Sequence, residues 1–520
     1  MEQNNNICQI FFIFSFIITF STFSYYLFTY KFMKLINPRS CKCEICDTFI
    51  TSSWRQRFTN LPDWITFLLS NSPTRTIHIH VLNNIITSNP NNVEHILKTK
   101  FDNYPKGKPT LTILGDLLGQ GIFNVDGEHW RFQRKLASLE LGSNSIRAYA
   151  HEVLAHEIVG RLVPTLEEFQ SRGTVGGPRG SNNLGPRSNI LVFDLQDVFR
   201  KFSFDNICKF SFGVDPTGLP GLDQAFDIAS NLSAERALQP SSVVWRAKRV
   251  LNLGSERRLR AAIKKVNILA ETIIKENREN SKFVTKGNLL SRFMGSVTND
   301  KYLRDIVVSF LLAGRDTNAS GLTVLFYLLG QHPEVEARII EESNRVMYPN
   351  KPVPEARPMT IPTLEELSKM HYLNAVVYET MRLYPPVQMD SKFASGDDIL
   401  PDGTRVETGT RVAYHPYAMG RMEDIWGPDC LQFRPERWLN DEGVFKPMNP
   451  FKYPVFQAGI RVCLGKEMAL LVMKTVTLVL VRRFRIRLAD PGWVPRFVPG
   501  LSATFKGGIP VVVLDRCLEE

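Results

Sequence analysis

The stretch "FQAGIRVCLG", residues 456–465, decides how this chain is to be read. One cysteine, Cys463, stands between Gly459 and Gly465, with Arg461 two places before it. The apolar run "MALLVMKTVTLVLV" (468–481) follows almost at once. A helix N-terminus lowers the pKa of a nearby thiol and makes it a nucleophile or a metal ligand, a device also used by cysteine proteases and phosphatases. Here the flanking glycines let the backbone approach something broad and flat, and Arg461 offers a cation to a carboxylate at its edge.

A haem has a flat face and carboxylate edges, and accepts a cysteine thiolate as axial ligand. Phe456, Gly459, Arg461, Cys463 and Gly465 fill every fixed position of F-x-x-G-x-R-x-C-x-G. That is the haem signature of the cytochrome P-450 superfamily, which the chain resembles. Many plant members have proline where this chain has Ile460.

Working outward, the remaining motifs come in the order such a resemblance requires. "ETMR" places Glu379 and Arg382 three apart, on one face of a helix, and "FRPERW" (433–438) supplies Arg437. The resemblance implies that these three form a buried ion network. "AGRDT" (313–317) lies inside the helical run "DIVVSFLLAGRDTNASGLTVLFYLL". It resembles the family's oxygen-side helix, with Thr317 bonding the bound oxygen, Asp316 relaying protons, and Gly314 letting the helix bulge. Asn318 departs from the Thr or Ser common at its position. In "EHWRFQRK", Trp130 and Arg134 are i and i+4 and share a helix face. By resemblance they reach a haem propionate, as does His415 in "YHP".

Longer phrases, "FDNYPKGKP", "LYPPVQMDSKFA" and "YHPYAMGRMEDIWGPD" among them, resemble the plant ω-hydroxylase branch acting on fatty acids and jasmonates. Within it the likeness is strongest to enzymes that oxidise jasmonoyl-isoleucine at its terminal carbon, some of them on to the carboxylic acid. The resemblance implies haem b, electrons from NADPH through a reductase, and a lipid-like substrate. A basic face around Lys466, Arg482 and Arg483 would suit an acidic reductase surface. Residues 110–125, Phe310, Ala313, Val387 to Met389, Leu501 and Ser502 are expected to line an elongated apolar pocket with a polar anchor for a carboxylate.

The bulk numbers agree with a large globular protein. The 520 residues are 43% hydrophobic and 22% charged, with a formal net charge of +11. No zinc-finger, homeodomain or RNA-recognition pattern accompanies the basic balance, which argues against a nucleic-acid partner. Eight cysteines are too few for a disulfide framework. "CKCEIC" (41–46) has half of a zinc site's spacing with no second pair at a usual distance, so its thiols read as reduced and unliganded. His78 and His80 read as surface residues of a strand. The basic stretch 245–265 reads as a solvated helix face, or as a surface near anionic lipid headgroups.

No charged residue occurs from Gln3 to Tyr30, and the 21 residues 10–30 would span about 31 Å as a helix. Tyr25, Tyr26 and Tyr30 crowd its end, with Lys31, Lys34, Arg39 and Lys42 after it. The expectation is a lumenal N-terminus (1–9), a transmembrane anchor (10–30), a cytosolic linker (31–59) and one domain (60–520), in the endoplasmic reticulum membrane with its catalytic part cytosolic. The expected fold is the cytochrome P-450 fold, mainly α with small β-sheets. Helices are expected at 301–330, 363–383 and 466–483, and strands within 74–82, 410–416 and 509–514.

Overall fold

The computed structural model describes residues 15–27, 41–174, 191–216, 222–239, 241–280, 288–349, 352 and 360–516. Seven helices position the site: α1 (Glu44–Thr51), α2 (Leu61–Ser70), α3 (Gly127–Glu140), α4 (Leu195–Phe212), α5 (Asp300–Gln331), α6 (His371–Leu383) and α7 (Lys466–Arg483). Four strands form the largest sheet: β1 (Thr76–Ile79), β2 (Asn84–Thr87), β3 (Asp390–Phe393) and β4 (Arg411–Tyr414).

The two ends of α5 are written in its sequence. The Asn299 side chain accepts from the Tyr302 N–H at its start, and Pro333 follows its last turn. Between them α5 is apolar nearly all round, the pattern of a helix buried on every face. The Asp194 side chain caps the start of α4, and left-handed Gly213 ends it. α4, α5, α6 and α7 share one continuous apolar core that includes Phe199, Leu311, Val376 and Val472.

The sheet runs in the order β1-β2-β4-β3. β2 pairs parallel with β4, Ile85 opposite Val412, while the outer pairs are antiparallel. A second sheet sets Pro510–Asp515 between Phe484–Leu488 and Phe193–Asp194. The helical dominance and marginal sheets expected from sequence are therefore present. One expected helix is two, because the chain breaks at Met370 between Leu364–Lys369 and His371–Leu383.

Residues 41–59 are not a free linker. The Trp54 and Phe49 rings stack on Trp64 at 6.2 and 6.3 Å, and α1 and α2 close a separate apolar cluster with Ile77, Ile79 and Val81. Aromatic burial of this kind explains why the segment docks. Asn60 joins segments far apart in sequence: its side chain donates to the Pro495 carbonyl (3.1 Å) and accepts from the Phe497 N–H (2.7 Å). Residues 15–27 are helical, and Phe16, Phe20 and Phe23 on them are exposed. Among the described residues no helix is long and apolar enough to cross a membrane. Residues 10–14 and 28–30 of the expected anchor lie outside the described residues.

Candidate active site

Cys463 sits on the loop before α7, and its N–H donates to the Phe456 carbonyl at 2.8 Å, closing the ten-residue motif on itself. Gly459 holds φ +64°, and a Cβ there would lie 2.3 Å from the Leu97 carbonyl oxygen. No other residue type fits that approach. Protein surrounds Cys463, yet its side chain is accessible, so it faces open space within the fold. Burial pushes its thiol up, and the Gly465 N–H, Arg134 and Lys466 oppose that without reversing it. A metal ion held at the sulfur would take its proton outright.

The residues fit a haem on two observations. A Cβ added at Gly465 would meet nothing within 4 Å, so the chain leaves room beside the sulfur. Arg134 is half-buried within Coulomb range of Cys463, and among the described residues no carboxylate pairs with it. Burial lowers its pKa, which marks a cation set for an anion from elsewhere. Its guanidinium and that of Arg461 lie over the Trp130 ring, at 5.5 and 4.6 Å. Arg461 also donates to the Val125 carbonyl (3.0 Å) and to Asp126 (2.5 Å), a partner the motif did not announce.

His415 is fully buried and takes a structural role that its sequence context did not show. Its Nδ1 accepts from the Ala418 N–H at 3.1 Å, capping the short helix Pro416–Met419. Burial, aided by Arg421, pushes its pKa down to about 3. The ring is therefore neutral with its proton on Nε2, which is left as a donor.

Glu379 lies at the centre of a buried network. Arg382 donates to it through Nε (2.7 Å) and Nη2 (2.8 Å), Arg437 through Nε (3.1 Å), Trp438 through Nε1 (2.9 Å) and Arg434 through its backbone N–H (2.9 Å). Neither Glu379 nor Arg382 exposes any surface. Arg382 also reaches the carbonyls of Gly420, Cys430 and Gln432, while Arg437 reaches Asp429 (3.1 Å). Trp438 and Asp429 were not singled out from sequence, although Trp438 is part of the quoted "FRPERW".

Across the core, α5 runs unbroken past Gly314 and does not bulge. A Cβ at Gly314 would stand 2.3 Å from Ile207 Cδ1, so this glycine serves the close crossing of α4 over α5. The Thr317 hydroxyl donates to the Ala313 carbonyl at 2.5 Å. Asp316 meets Arg315 at 3.0 Å, and Arg315 turns its other nitrogen to Asp227 at 2.9 Å. Burial pushes the Asp316 carboxyl up to about 6, against the pull of Arg315.

A cavity of about 1110 Å³ opens beside the sheet. Neither Cys463 nor Thr317 lines it: it is an outer chamber bounded by α1, the 388–391 segment and the 496–503 loop. Thr110, Ile113, Gln388, Met389, Leu501 and Ser502, expected in the pocket, line this chamber, while Phe310, Ala313 and Val387 do not. Cations Arg57, Lys106, Arg411, Arg496 and Lys506 stand around it. Asp390, also on its wall, pairs with Lys106 (2.5 Å) and Lys392 (3.4 Å). Burial would raise its pKa, but the two lysines outweigh burial and keep it ionised. The basic face proposed from α7 is smaller than its sequence implies. Arg482 is buried on Ser343 and Asn344, because α7 packs against Pro333–Met347 on that side, and Arg483 pairs with Asp515 at 2.9 Å.

Comparison with known proteins agrees with this arrangement. The sequence profile described as Cytochrome P450 matches residues 71–502. Cytochrome P450 94C1 of Arabidopsis thaliana is 55% identical, over 97% of this chain and 98% of that protein. Cytochrome P450 94B3 of the same plant is 43% identical (89% and 90% covered), and cytochrome P450 94A1 of Vicia sativa 38% (89% and 88%).

Proposed function

This chain belongs to the cytochrome P450 family and is a monooxygenase, and from that premise we propose that it hydroxylates the terminal carbon of a carboxylate-bearing lipid. The substrate we assign is jasmonoyl-L-isoleucine, attacked at C12 and carried on toward the carboxylic acid; the alternative is a fatty-acid ω-hydroxylase of cutin and lipid metabolism. The outer chamber is the observation that carries the substrate class. Its walls combine apolar side chains such as Ile113, Met389 and Leu501 with several cations, which suits an elongated chain ending in a carboxylate.

Haem b, when bound, supplies oxygen activation and insertion of one oxygen atom into a C–H bond, fed by electrons from NADPH through a reductase. Cys463 would hold its iron from the α7 side. Phe456, Gly459 and Gly465 would leave room for its face, and Trp130, Arg134, Arg461 and the His415 Nε2–H would bind its propionates. Asp316, with its carboxyl near neutral pKa, takes up and releases protons at working pH. The Thr317 hydroxyl, once rotated off the Ala313 carbonyl, passes a proton on. Thr317→Ala should consume more NADPH per molecule of product.

The anchor over 10–30, the endoplasmic reticulum location and the cytosolic catalytic part belong to the same reading. Exposed Val250, Leu251 and Leu253 beside Arg246, Lys248 and Arg249 support contact with an anionic lipid surface. The deciding experiment uses microsomes carrying this protein and a plant reductase with NADPH. Jasmonoyl-isoleucine, its 12-hydroxy derivative and a twelve-carbon fatty acid compete, and products are resolved by mass spectrometry. Predominant 12-hydroxy and 12-carboxy conjugates are the expected result. Predominant ω-hydroxy fatty acid would select the alternative.

A further inference from the structure

The cysteines of "CKCEIC" acquire a fourth companion once the chain is folded. Cys41, Cys43 and Cys46 meet His80, which opens the short helical turn after β1, and the four ligand atoms lie within 4.8 Å of one another. Cys43 Sγ is 3.9 Å from His80 Nδ1. No spacing rule would have found the histidine, because it comes from a different element 34 positions beyond Cys46. The chain folds so that one short segment supplies three sulfurs and the turn after β1 supplies one nitrogen.

We propose that Cys41, Cys43, Cys46 and His80 bind one zinc ion in a closed, structural site. Three thiolates and one imidazole are a structural zinc set, and four protein ligands leave no position for a substrate. With zinc–ligand bonds of about 2.0–2.3 Å, tetrahedral ligand atoms stand roughly 3.5–3.8 Å apart. The observed cluster needs to draw in by only about 1 Å to reach that geometry. Two backbone amides stand near the sulfurs, that of Val81 by Cys46 and that of Cys46 by Cys43. Amides so placed could bond the sulfurs of a bound zinc and orient them. Cys46 is fully buried against Trp64, Ile79 and Val81, while Cys41 and Cys43 are partly covered, so the cluster lies at the edge of an apolar core. Binding consumes one Zn²⁺, releases the three thiol protons to solvent and leaves the site with one net negative charge. No electron is transferred.

The ion would clasp the 41–46 segment to the turn after β1. That holds α1 in place, whose Phe49 and Ile50 line the mouth of the outer chamber. Iron–sulfur chemistry is the poorer match, since such clusters are usually held by four cysteines.

The test is metal analysis of the full chain with its haem, purified without an affinity tag. About one zinc per haem iron is expected, with Cys41, Cys43 and Cys46 resisting alkylation until an organomercurial releases the zinc. Cys43→Ser and His80→Ala, made separately, should each lower zinc per haem at least roughly tenfold while the haem spectrum stays intact. Should a variant fail to fold, the zinc content and thiol protection of the unaltered protein decide alone. Three outcomes overturn the proposal: a chain free of zinc whose thiols alkylate at once, a disulfide among the three cysteines, or a second, non-haem iron in place of zinc.

Discussion

Glu379, fully buried, and Asp316, nearly so, are provisioned in opposite ways. Glu379 receives five hydrogen bonds from two arginine side chains, a tryptophan and a backbone amide. Among the described residues Arg315 is the one cation within ion-pair distance of Asp316, and it divides itself between Asp316 and Asp227. A buried charge that is fully bonded is bound to its place and fixes the surrounding chain. A buried charge with too few donors gives up part of its ionisation instead, and so becomes able to exchange a proton near neutral pH. Burial is thus common to structural and proton-handling carboxylates. The number of donors separates them.

Substitutions can break this contrast or sharpen it. The largest effect belongs to Glu379→Ala, which strands Arg382 without a counter-charge in a site with no exposed surface. A loss of about 3–5 kcal/mol is expected in denaturant unfolding, together with failure to retain haem. Unchanged stability with full haem loading would refute the structural role.

Asp316→Asn tests the other side. Below about pH 4 the folded and unfolded states both carry this proton, whereas the folded carboxyl keeps it up to about 6 against the ordinary 3.8. The folded state therefore binds more protons in that window, and stability falls as pH rises through it and stays lower above. Asparagine cannot titrate. The variant should lose that fall and equal or exceed the parent at pH 7, by up to about 3 kcal/mol, while turnover slows. A variant less stable than its parent at pH 7 would show that Asp316 is a saturated structural acid after all.

Trp438→Phe removes one of the five donors to Glu379 and keeps most of the ring. About 2 kcal/mol of destabilisation is expected in the same unfolding assay. It should not add to Glu379→Ala, since both act on one network. The smallest effect lies in the outer chamber. Met389→Ala should change the ratio of jasmonate to fatty-acid products roughly tenfold in the competition assay, with stability nearly unaltered. An unchanged ratio would remove Met389 from the path of the substrate.

The same contrast explains what could be read from the chain. Glu379, Arg382 and Arg437 were legible because the motifs that carry them are short and ordered, and Trp438 was present in the same six letters. The long helices were legible because α5 and α7 are apolar over many turns. What escaped depends on pairs brought together only by folding. Arg461 meets Asp126, Gly314 meets Ile207, and three cysteines meet His80, each across separate elements. Arg482 misled for a related reason. A basic residue in the last turn of a helix reads as exposed, but α7 is packed on every side and buries it between Ser343 and Asn344. The His415 Nδ1 cap was equally hidden, because its acceptor role depends on the turn that Pro416 begins.

The Asn60 side chain, which bonds residues 435 and 437 positions further along, sets a timetable for biosynthesis. At about 5–20 residues per second, a ribosome needs roughly 20–90 s to deliver Pro495 after Asn60 has emerged. Throughout that interval the Asn60 side chain at the start of α2 waits without the 495–497 segment that it will bind. The start of α2 is thus tied in place by a segment made more than four hundred residues later, and until then its polar cap must be satisfied by water.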